Sequence, residues 1–200
     1  MIERKKRRTG KIGIFAVAHA AYGRQFEGFE EKILGYHADL CAKIRKNDID
    51  LTDFGMIDSS EKAYAAIPKI LGADVDVLFC NMTTYATSSV FAPIIKAVNK
   101  PVVLAALQPA KCLDYKNACT LMQLENDNIC AVPEFTGVAV RMNRRVNDVI
   151  LGCLYGDEDA DAEIAEWCDI AKVLNSLSGA RLGLMGHVLE SMYDMHADPT

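Results

Sequence analysis

The stretch KIGIFAVAHAAY, residues 11–22, decides the fold class. Its first nine residues, Lys11–His19, form a mostly apolar run that includes the β-branched Ile12, Ile14 and Val17. A run of this length and hydrophobicity is typical of a central parallel strand, which is buried on both faces. The run stops at a polar corner, and a long helical pattern follows it. In an open α/β sheet, ligands bind at the carboxyl ends of strands, so this corner is the first candidate for a site.

The rest of the chain repeats the pattern of a strand followed by a helix. Further apolar runs predict strands at 49–57, 75–80, 102–107, 129–132 and 149–155. Alternating strands and helices imply parallel strands joined by right-handed crossovers. We therefore predict an α/β fold, a doubly wound three-layer sandwich around a mostly parallel, flavodoxin-like (Rossmann-like) sheet in which the first strand is central.

The end of the chain has the pattern of a new unit. Arg181–Gly186 reads as another strand, and no helical pattern follows it before Thr200. A strand and turn without a covering helix indicate the first element of a second α/β unit. We predict one N-terminal α/β domain over residues 1–178 and the start of a second α/β domain over residues 179–200.

Composition restricts the location and the partners. The formal net charge is −5, which argues against a nucleic-acid partner. The one basic run, Arg4–Arg8, is interpreted as a solvated tail, with a polyanion contact as the alternative. No apolar run reaches the roughly 18 residues of a membrane helix, and no signal peptide is recognisable. The seven cysteines form no CxxC pair, which favours free thiols in a reducing cytoplasm.

Polar side chains follow four of the predicted strands, and these define the candidate site. They are His19 and Tyr22; Asn81, Thr83, Thr84 and Tyr85; Gln108; and His187. All would lie at the carboxyl edges of their sheets, where several hydrogen-bonding groups can meet one polyhydroxyl ligand. Structural roles are the alternatives: a histidine satisfied within the fold, threonines that cap the next helix, and a glutamine bonded to a neighbouring loop.

Several motifs are missing from the sequence. It has no GxGxxG after the first strand, no P-loop and no GxSxG, which argues against a dinucleotide or nucleotide site and against a serine-hydrolase elbow. No cluster of His, Cys and carboxylate residues has metal-ligand spacing along the chain. The nearest approach is the group His187, Asp194, His196 and Asp198, which fits an ordinary polar loop better.

Taken in order, the polar corners resemble a known family. The segments are HAAYG at 19–23, NMTTY at 81–85, KPVVLAALQ at 100–108, EFTG at 134–137, RMNR at 141–144, RLGLMGH at 181–187, MYD at 192–194 and DPT at 198–200. In this order and spacing the chain resembles the N-terminal region of the L-arabinose isomerase and L-fucose isomerase superfamily.

The resemblance implies a function for this segment. The full-length enzyme would be a metal-dependent aldose–ketose isomerase of carbohydrate metabolism, with Mn²⁺ held by ligands outside these 200 residues. This segment would contribute substrate recognition and contacts in a homo-oligomer (trimer or hexamer), and would be inactive alone. By motif, His19, Tyr22, Tyr85 and Gln108 would line the monosaccharide pocket, with no catalytic residue and no metal ligand in the segment.

Two other functions stay open. One is a stand-alone sugar-binding or regulatory module, since polar strand ends bind sugars without chemistry. The other is a metal-free racemase or isomerase that uses two facing cysteines, for which Cys80 and Cys153 are the candidates. Buried structural thiols are the alternative to that chemistry.

Overall fold

The computed structural model describes residues 9–183 of the chain. Its centre is one sheet of five strands: β1 (Gly10–Val17), β2 (Ile49–Ile57), β3 (Val77–Met82), β4 (Val102–Gln108) and β5 (Asp148–Cys153). The strand order is β2-β1-β3-β4-β5, and every neighbouring pair is parallel. The predicted flavodoxin-like α/β fold, with β1 inside the sheet, is confirmed.

Seven α-helices surround the described sheet. They are α1 (Ala20–Gln25), α2 (Phe29–Arg45), α3 (Ser60–Gly72), α4 (Ala92–Ala97), α5 (Thr120–Glu125), α6 (Val132–Arg141) and α7 (Glu158–Ser178). Buried residues of α2 and α7 pack on one face of the sheet, and those of α3, α4 and α6 pack on the other. The predicted three layers are therefore present.

Strand β1 shows why the opening stretch is apolar throughout. Ile12 and Ile14 pack toward α2 and α7, whereas Phe15 and Val17 pack toward α3, α4 and α6. All four side chains are fully buried. A strand covered on both faces needs apolar residues at successive positions rather than at alternate ones.

Strand β2 carries a β-bulge. The register places Ile14 opposite Asp53 and Ala16 opposite Met56, so two residues, Phe54 and Gly55, lie opposite Phe15. Gly55 has a φ of 78°, a left-handed conformation that favours glycine. The Asp53 Oδ1 atom accepts a hydrogen bond of 2.8 Å from the Gly55 N–H. The bulge therefore fixes the orientation of the Asp53 carboxylate.

One predicted strand is wrong. Residues 129–131 form a turn, Val132 is the first residue of α6, and Ile129 is 52 % exposed. Pro133 lies in the first turn of α6, where a missing N–H costs no helical hydrogen bond. Four apolar residues before such a proline fit the start of a helix as well as a strand.

Some predictions fall outside the part of the chain that the structure describes. The basic run Arg4–Arg8 and the residue His187 lie outside it, and the predicted strand Arg181–Gly186 is described only as far as Gly183. The division into domains at residues 178 and 179 therefore stays a prediction. Among residues 9–183, no helix combines the length and the apolar character needed to cross a bilayer.

Candidate ligand-binding site

The chain reverses its direction of winding between β1 and β3. The connection that leaves β1 leads to β2 on one side, and the connection that leaves β3 leads to β4 on the other. The two strands are paired up to Val17 and Met82, so their connections diverge from neighbouring points. In open α/β sheets this divergence creates a crevice that binds ligands.

His19 and Tyr22 lie on the β1 side of this crevice. His19 directly precedes α1, and the Tyr22 N–H donates a hydrogen bond of 3.0 Å to the His19 carbonyl. The His19 ring stands edge-on to the Tyr22 ring, with centroids 5.1 Å apart. Both residues are half-buried. The short helix α1 therefore presents two partly accessible rings side by side.

Thr83 and Thr84 follow β3, but their hydroxyl groups point into the protein. The Thr83 hydroxyl donates to the Val17 carbonyl at 2.8 Å, and the Thr84 hydroxyl donates to the Leu124 carbonyl at 2.7 Å. Both residues are buried. The Thr83 bond ties the carboxyl ends of β1 and β3 together, and the Thr84 bond is made to the last turn of α5. Neither bond caps the start of the helix that follows β3.

Tyr85 also follows β3, and it is half-buried. Its hydroxyl group donates to the Glu134 Oε2 atom at 3.4 Å, while the Ser88 N–H donates to Glu134 Oε1 at 2.6 Å. Glu134 lies in the first turn of α6. The carboxylate therefore ties α6 to the loop after β3 and keeps Tyr85 beside a negative charge.

The pKa shifts show that five side chains share one electrostatic environment. The charge of Glu134, followed by burial, raises the pKa of Tyr85, and Tyr22 and Cys130 add to the shift. Burial, followed by Asp127 and Cys130, raises the pKa of Tyr22. Burial and Asp127 also raise the pKa of the Cys130 thiol. We call Tyr22, Tyr85, Asp127, Cys130 and Glu134 the switch-point cluster.

Gln108 lies at a neighbouring cavity rather than in this cluster. Its Nε2 group donates to the Ala110 carbonyl at 2.8 Å, so one donor is used by its own loop. The cavity, of about 240 Å³, lies beside the carboxyl ends of β4 and β5 and is lined also by Asn128. The Asn128 Nδ2 group donates to the Met82 carbonyl at 2.7 Å, but its Oδ1 atom is buried without a partner among the described residues.

The structure thus associates Tyr22 with Tyr85 at the switch point. His19 contacts Tyr22 but lines a cavity on the β2 side, with Met56 and Asp58, and Gln108 lies at the cavity beside β4 and β5. Asp127, Asn128 and Cys130 were missed by the sequence reasoning. The predicted strand at 129–132 would have placed this segment inside the sheet, whereas it is a turn at the sheet edge. Glu134 begins the EFTG segment at 134–137, and the sequence reasoning gave it no role in the site.

The cysteine hypothesis does not fit the geometry. Cys80 is fully buried within β3, and burial raises the pKa of its thiol well above the usual range. Cys153 lies in β5, and β4 separates the two strands. A thiol must become a thiolate to act as a nucleophile or a base. Cys80 is therefore a structural residue of the core.

The contact between Tyr85 and Glu134 can be tested by titration. Glu134→Gln is expected to lower the pKa of Tyr85 toward the ordinary value of 10.0, because it removes the charge that opposes phenolate formation. This pKa is measured by following the absorbance of phenolate against pH. The transition that is missing in Tyr85→Phe belongs to Tyr85. The pKa of Tyr85 is higher in the folded chain than in the unfolded chain. Any contribution of Tyr85 to the free energy of unfolding is therefore complete at a pH below the unfolded-state pKa. It is lost as the pH rises through the folded-state pKa.

Glu158→Gln is the matched control for this titration. It removes a carboxylate from the first turn of α7, and Glu158 is not among the groups that shift the pKa of Tyr85. This variant is expected to leave the Tyr85 transition where it is in the wild-type chain. If Glu134→Gln also leaves the Tyr85 transition at its wild-type pH, the contact between Tyr85 and Glu134 is wrong.

Comparisons with known proteins identify no family. No protein-family model matches the chain, and no curated protein matches it. Among solved structures, the crystal structure of type II dehydroquinase from Propionibacterium acnes aligns with a TM-score of 0.39 and 13 % sequence identity. The alignment covers 79 % of this chain and 99 % of that chain. A likeness this weak says nothing about the activity of this chain.

These findings overturn the predicted family. No family model and no curated protein supports the resemblance to the L-arabinose and L-fucose isomerases, and the solved structure named above is a dehydroquinase. The predicted superfamily, the function as the N-terminal domain of an aldose–ketose isomerase and the class of metal-dependent isomerase are therefore wrong. Short polar corners after strands recur in α/β folds because the topology places them there, so their order along the chain was not specific to one family.

Proposed function

We propose that the chain binds a small, uncharged, hydroxyl-rich molecule in the crevice at the switch point between β1 and β3. The observation that supports it most directly is the pairing of Tyr85 with Glu134 at the edge of this crevice. Tyr22, which follows β1, adds to the pKa shift of Tyr85, which follows β3.

The chemistry of the switch-point cluster suits hydroxyl groups. Each phenol is both a donor and an acceptor, and each carboxylate offers two acceptor oxygens. A hydroxyl group of a ligand donates one hydrogen bond and accepts two, so it can bond to the phenols and to the carboxylates. The rings of Tyr22 and His19 also present apolar surface against which the C–H groups of a small ring can pack.

The charges of the cluster favour a neutral ligand over an anion. It contains two acidic residues, Asp127 and Glu134, and no lysine or arginine. A phosphate or carboxylate group bound there would be repelled by both acids. The predicted monosaccharide partner is compatible with this electrostatic character. His19 and Gln108 are kept in the proposal as additional ligand contacts.

Binding can be tested with a panel of neutral sugars and polyols, each paired with its phosphorylated or carboxylated counterpart. Isothermal titration calorimetry is expected to detect neutral compounds in preference to their anionic counterparts. Tyr85→Phe and Glu134→Gln are expected to weaken binding roughly 10–100-fold, the cost of one hydrogen bond that involves a charged group. Tyr64→Phe is the matched control, because Tyr64 lies on α3 and is 65 % exposed.

Two results would contradict this function. One is the absence of binding by any neutral member of the panel to the folded chain. The other is binding that Tyr85→Phe leaves as strong as Tyr64→Phe does.

Other predictions are retained as part of this proposal. A cytoplasmic location is supported by the seven cysteines, which are all free. The homo-oligomeric state, the absence of nucleic-acid and membrane partners, and the Mn²⁺ ion with ligands outside this segment stay predictions.

A further inference from the structure

A second group of reactive side chains lies between α2 and the sheet, away from the switch-point cluster. His37 and Cys41 are four residues apart on α2, which places them on the same side of the helix. Asp53 comes from β2, just before the bulge. One ligand atom from each of the three residues lies within 4.8 Å of the other two.

The distances are close to those of a tetrahedral metal site. The His37 Nε2 atom lies 3.0 Å from Asp53 Oδ1 and 3.7 Å from Cys41 Sγ. Zinc bonds of about 2.0–2.3 Å at tetrahedral angles separate nitrogen from oxygen by about 3.3 Å and nitrogen from sulfur by about 3.6 Å. The two distances from Nε2 therefore match one face of such a site to within a few tenths of an ångström, and the third separation, between Asp53 and Cys41, is within 4.8 Å.

Neighbouring groups orient two of the three ligands. The Asn81 Nδ2 group lies 3.0 Å from His37 Nδ1, on the side of the ring away from Cys41 and Asp53. A rotation of this carboxamide by 180° exchanges Nδ2 for the oxygen, which then accepts the Nδ1–H and leaves Nε2 free to bind a metal. The Gly55 N–H holds the Asp53 carboxylate at 2.8 Å. Outer contacts of this kind are typical of metal-binding histidines and carboxylates.

The same geometry excludes a nucleophilic triad. In a triad the base uses one ring nitrogen for the nucleophile and the other for the acid. Here the single Nε2 atom faces both Cys41 and Asp53, and the other nitrogen faces an amide. Three ligands that converge on one point are the arrangement of a metal site.

We propose that His37, Cys41 and Asp53 bind a divalent transition-metal ion, with Zn²⁺ as the best match. A thiolate, an imidazole and a carboxylate match zinc, whereas Mg²⁺ and Mn²⁺ prefer oxygen ligands. The His37 side chain is 4 % exposed and that of Asp53 is 37 % exposed, so Asp53 marks the route from solvent. A water molecule on that side completes four ligands.

Binding requires a defined movement of protons. The Cys41 thiol loses its proton to solvent as the sulfur–metal bond forms. An imidazole that carries its proton on Nε2 must carry it on Nδ1 instead, where Asn81 accepts it. Metal binding therefore releases a proton and tightens as the pH rises.

Cobalt(II) is the probe for this site, because thiolate coordination gives a sulfur-to-cobalt charge-transfer band and tetrahedral geometry gives intense visible bands. Titration of the full chain with Co²⁺ is expected to produce both sets of bands at one equivalent, and one equivalent of Zn²⁺ is expected to remove them. Cys41→Ser is expected to abolish the charge-transfer band. Asp53→Asn, at a partly exposed position, is expected to weaken Co²⁺ binding at least tenfold while the chain stays folded.

Cys168→Ser is the matched control. Cys168 is a buried cysteine of α7 in the same layer as Cys41 but outside the cluster, so its variant is expected to keep the bands. Circular dichroism confirms that each variant is folded. The proposal is overturned if the folded wild-type chain gives no charge-transfer band, or if the band persists in Cys41→Ser and Co²⁺ affinity is unchanged in Asp53→Asn. Neither result bears on the switch-point cluster, which contains none of these residues.

Discussion

Phe135→Ala is expected to lower the free energy of unfolding by about 3–5 kcal/mol, the cost of removing a fully buried aromatic ring. Phe135 has no exposed surface, and its ring stacks on that of Phe91 with centroids 4.7 Å apart and an angle of 14° between the planes. The variant leaves a cavity between α6 and the loop before α4. For a chain of this size the melting temperature is expected to fall by roughly 6–20 °C.

The same substitution is expected to disturb the candidate site, because Phe135 adjoins Glu134 in α6. Denaturant titration measures the stability, and the phenolate titration of Tyr85 reports on the position of Glu134. Val140→Ala is the control on the same helix; Val140 is 75 % exposed, so we expect a change within about 0.5 kcal/mol. Equal stabilities of the two variants would show that the ring stack contributes little to the core.

Gly10→Ala is expected to destabilise the chain by about 1–3 kcal/mol, although it adds only one methyl group. A Cβ atom at Gly10 would lie 2.6 Å from the main-chain nitrogen of Lys172 and 2.9 Å from the main-chain carbon of Ala171. These are backbone atoms of α7, so the whole helix must move away from β1. That movement also strains the hydrogen bond of 3.0 Å from the Asn175 amide to Asp76.

Gly35→Ala is the opposite control. Gly35 is exposed within α2, and a Cβ atom there would meet nothing within 4 Å. Alanine in a helix is favoured over glycine by roughly 0.5–1 kcal/mol, so this variant is expected to be more stable than the wild-type chain. Denaturant unfolding of both variants checks the pair, and a Gly10→Ala chain as stable as the wild type would refute the close packing of α7 on β1.

The fold was predictable because β1, β3 and β4 are covered on both faces. Ile12, Ile14, Phe15 and Val17 all had to be apolar, and such continuous runs are visible in one sequence. Ile129–Val132 was wrongly predicted as a strand because four apolar residues are too few to show the periodicity of a helix or of a strand. A proline such as Pro133 occurs near the start of a helix as well as after the end of a strand.

The candidate site was predictable only in part. His19, Tyr22 and Tyr85 follow apolar strands, so the topology alone places them at one edge. Asp127 and Cys130 reach that edge through a turn whose path depends on packing. The contact of His37 with Asp53 depends on how α2 lies on the sheet, which spacing along the chain does not encode. The family resemblance failed because strand-end corners reflect the fold that many proteins share.

The bulge in β2 divides this strand into two phases. Before the bulge, the side chains that face α2 are at odd-numbered positions, Ile49, Leu51 and Asp53. After the bulge, the even-numbered Met56 faces α2. The extra residue lets a carboxylate occupy an inward position without shifting the apolar contacts that follow. A substitution at Asp53 can therefore change the chemistry of this position without shifting the packing at Met56 and Ile57.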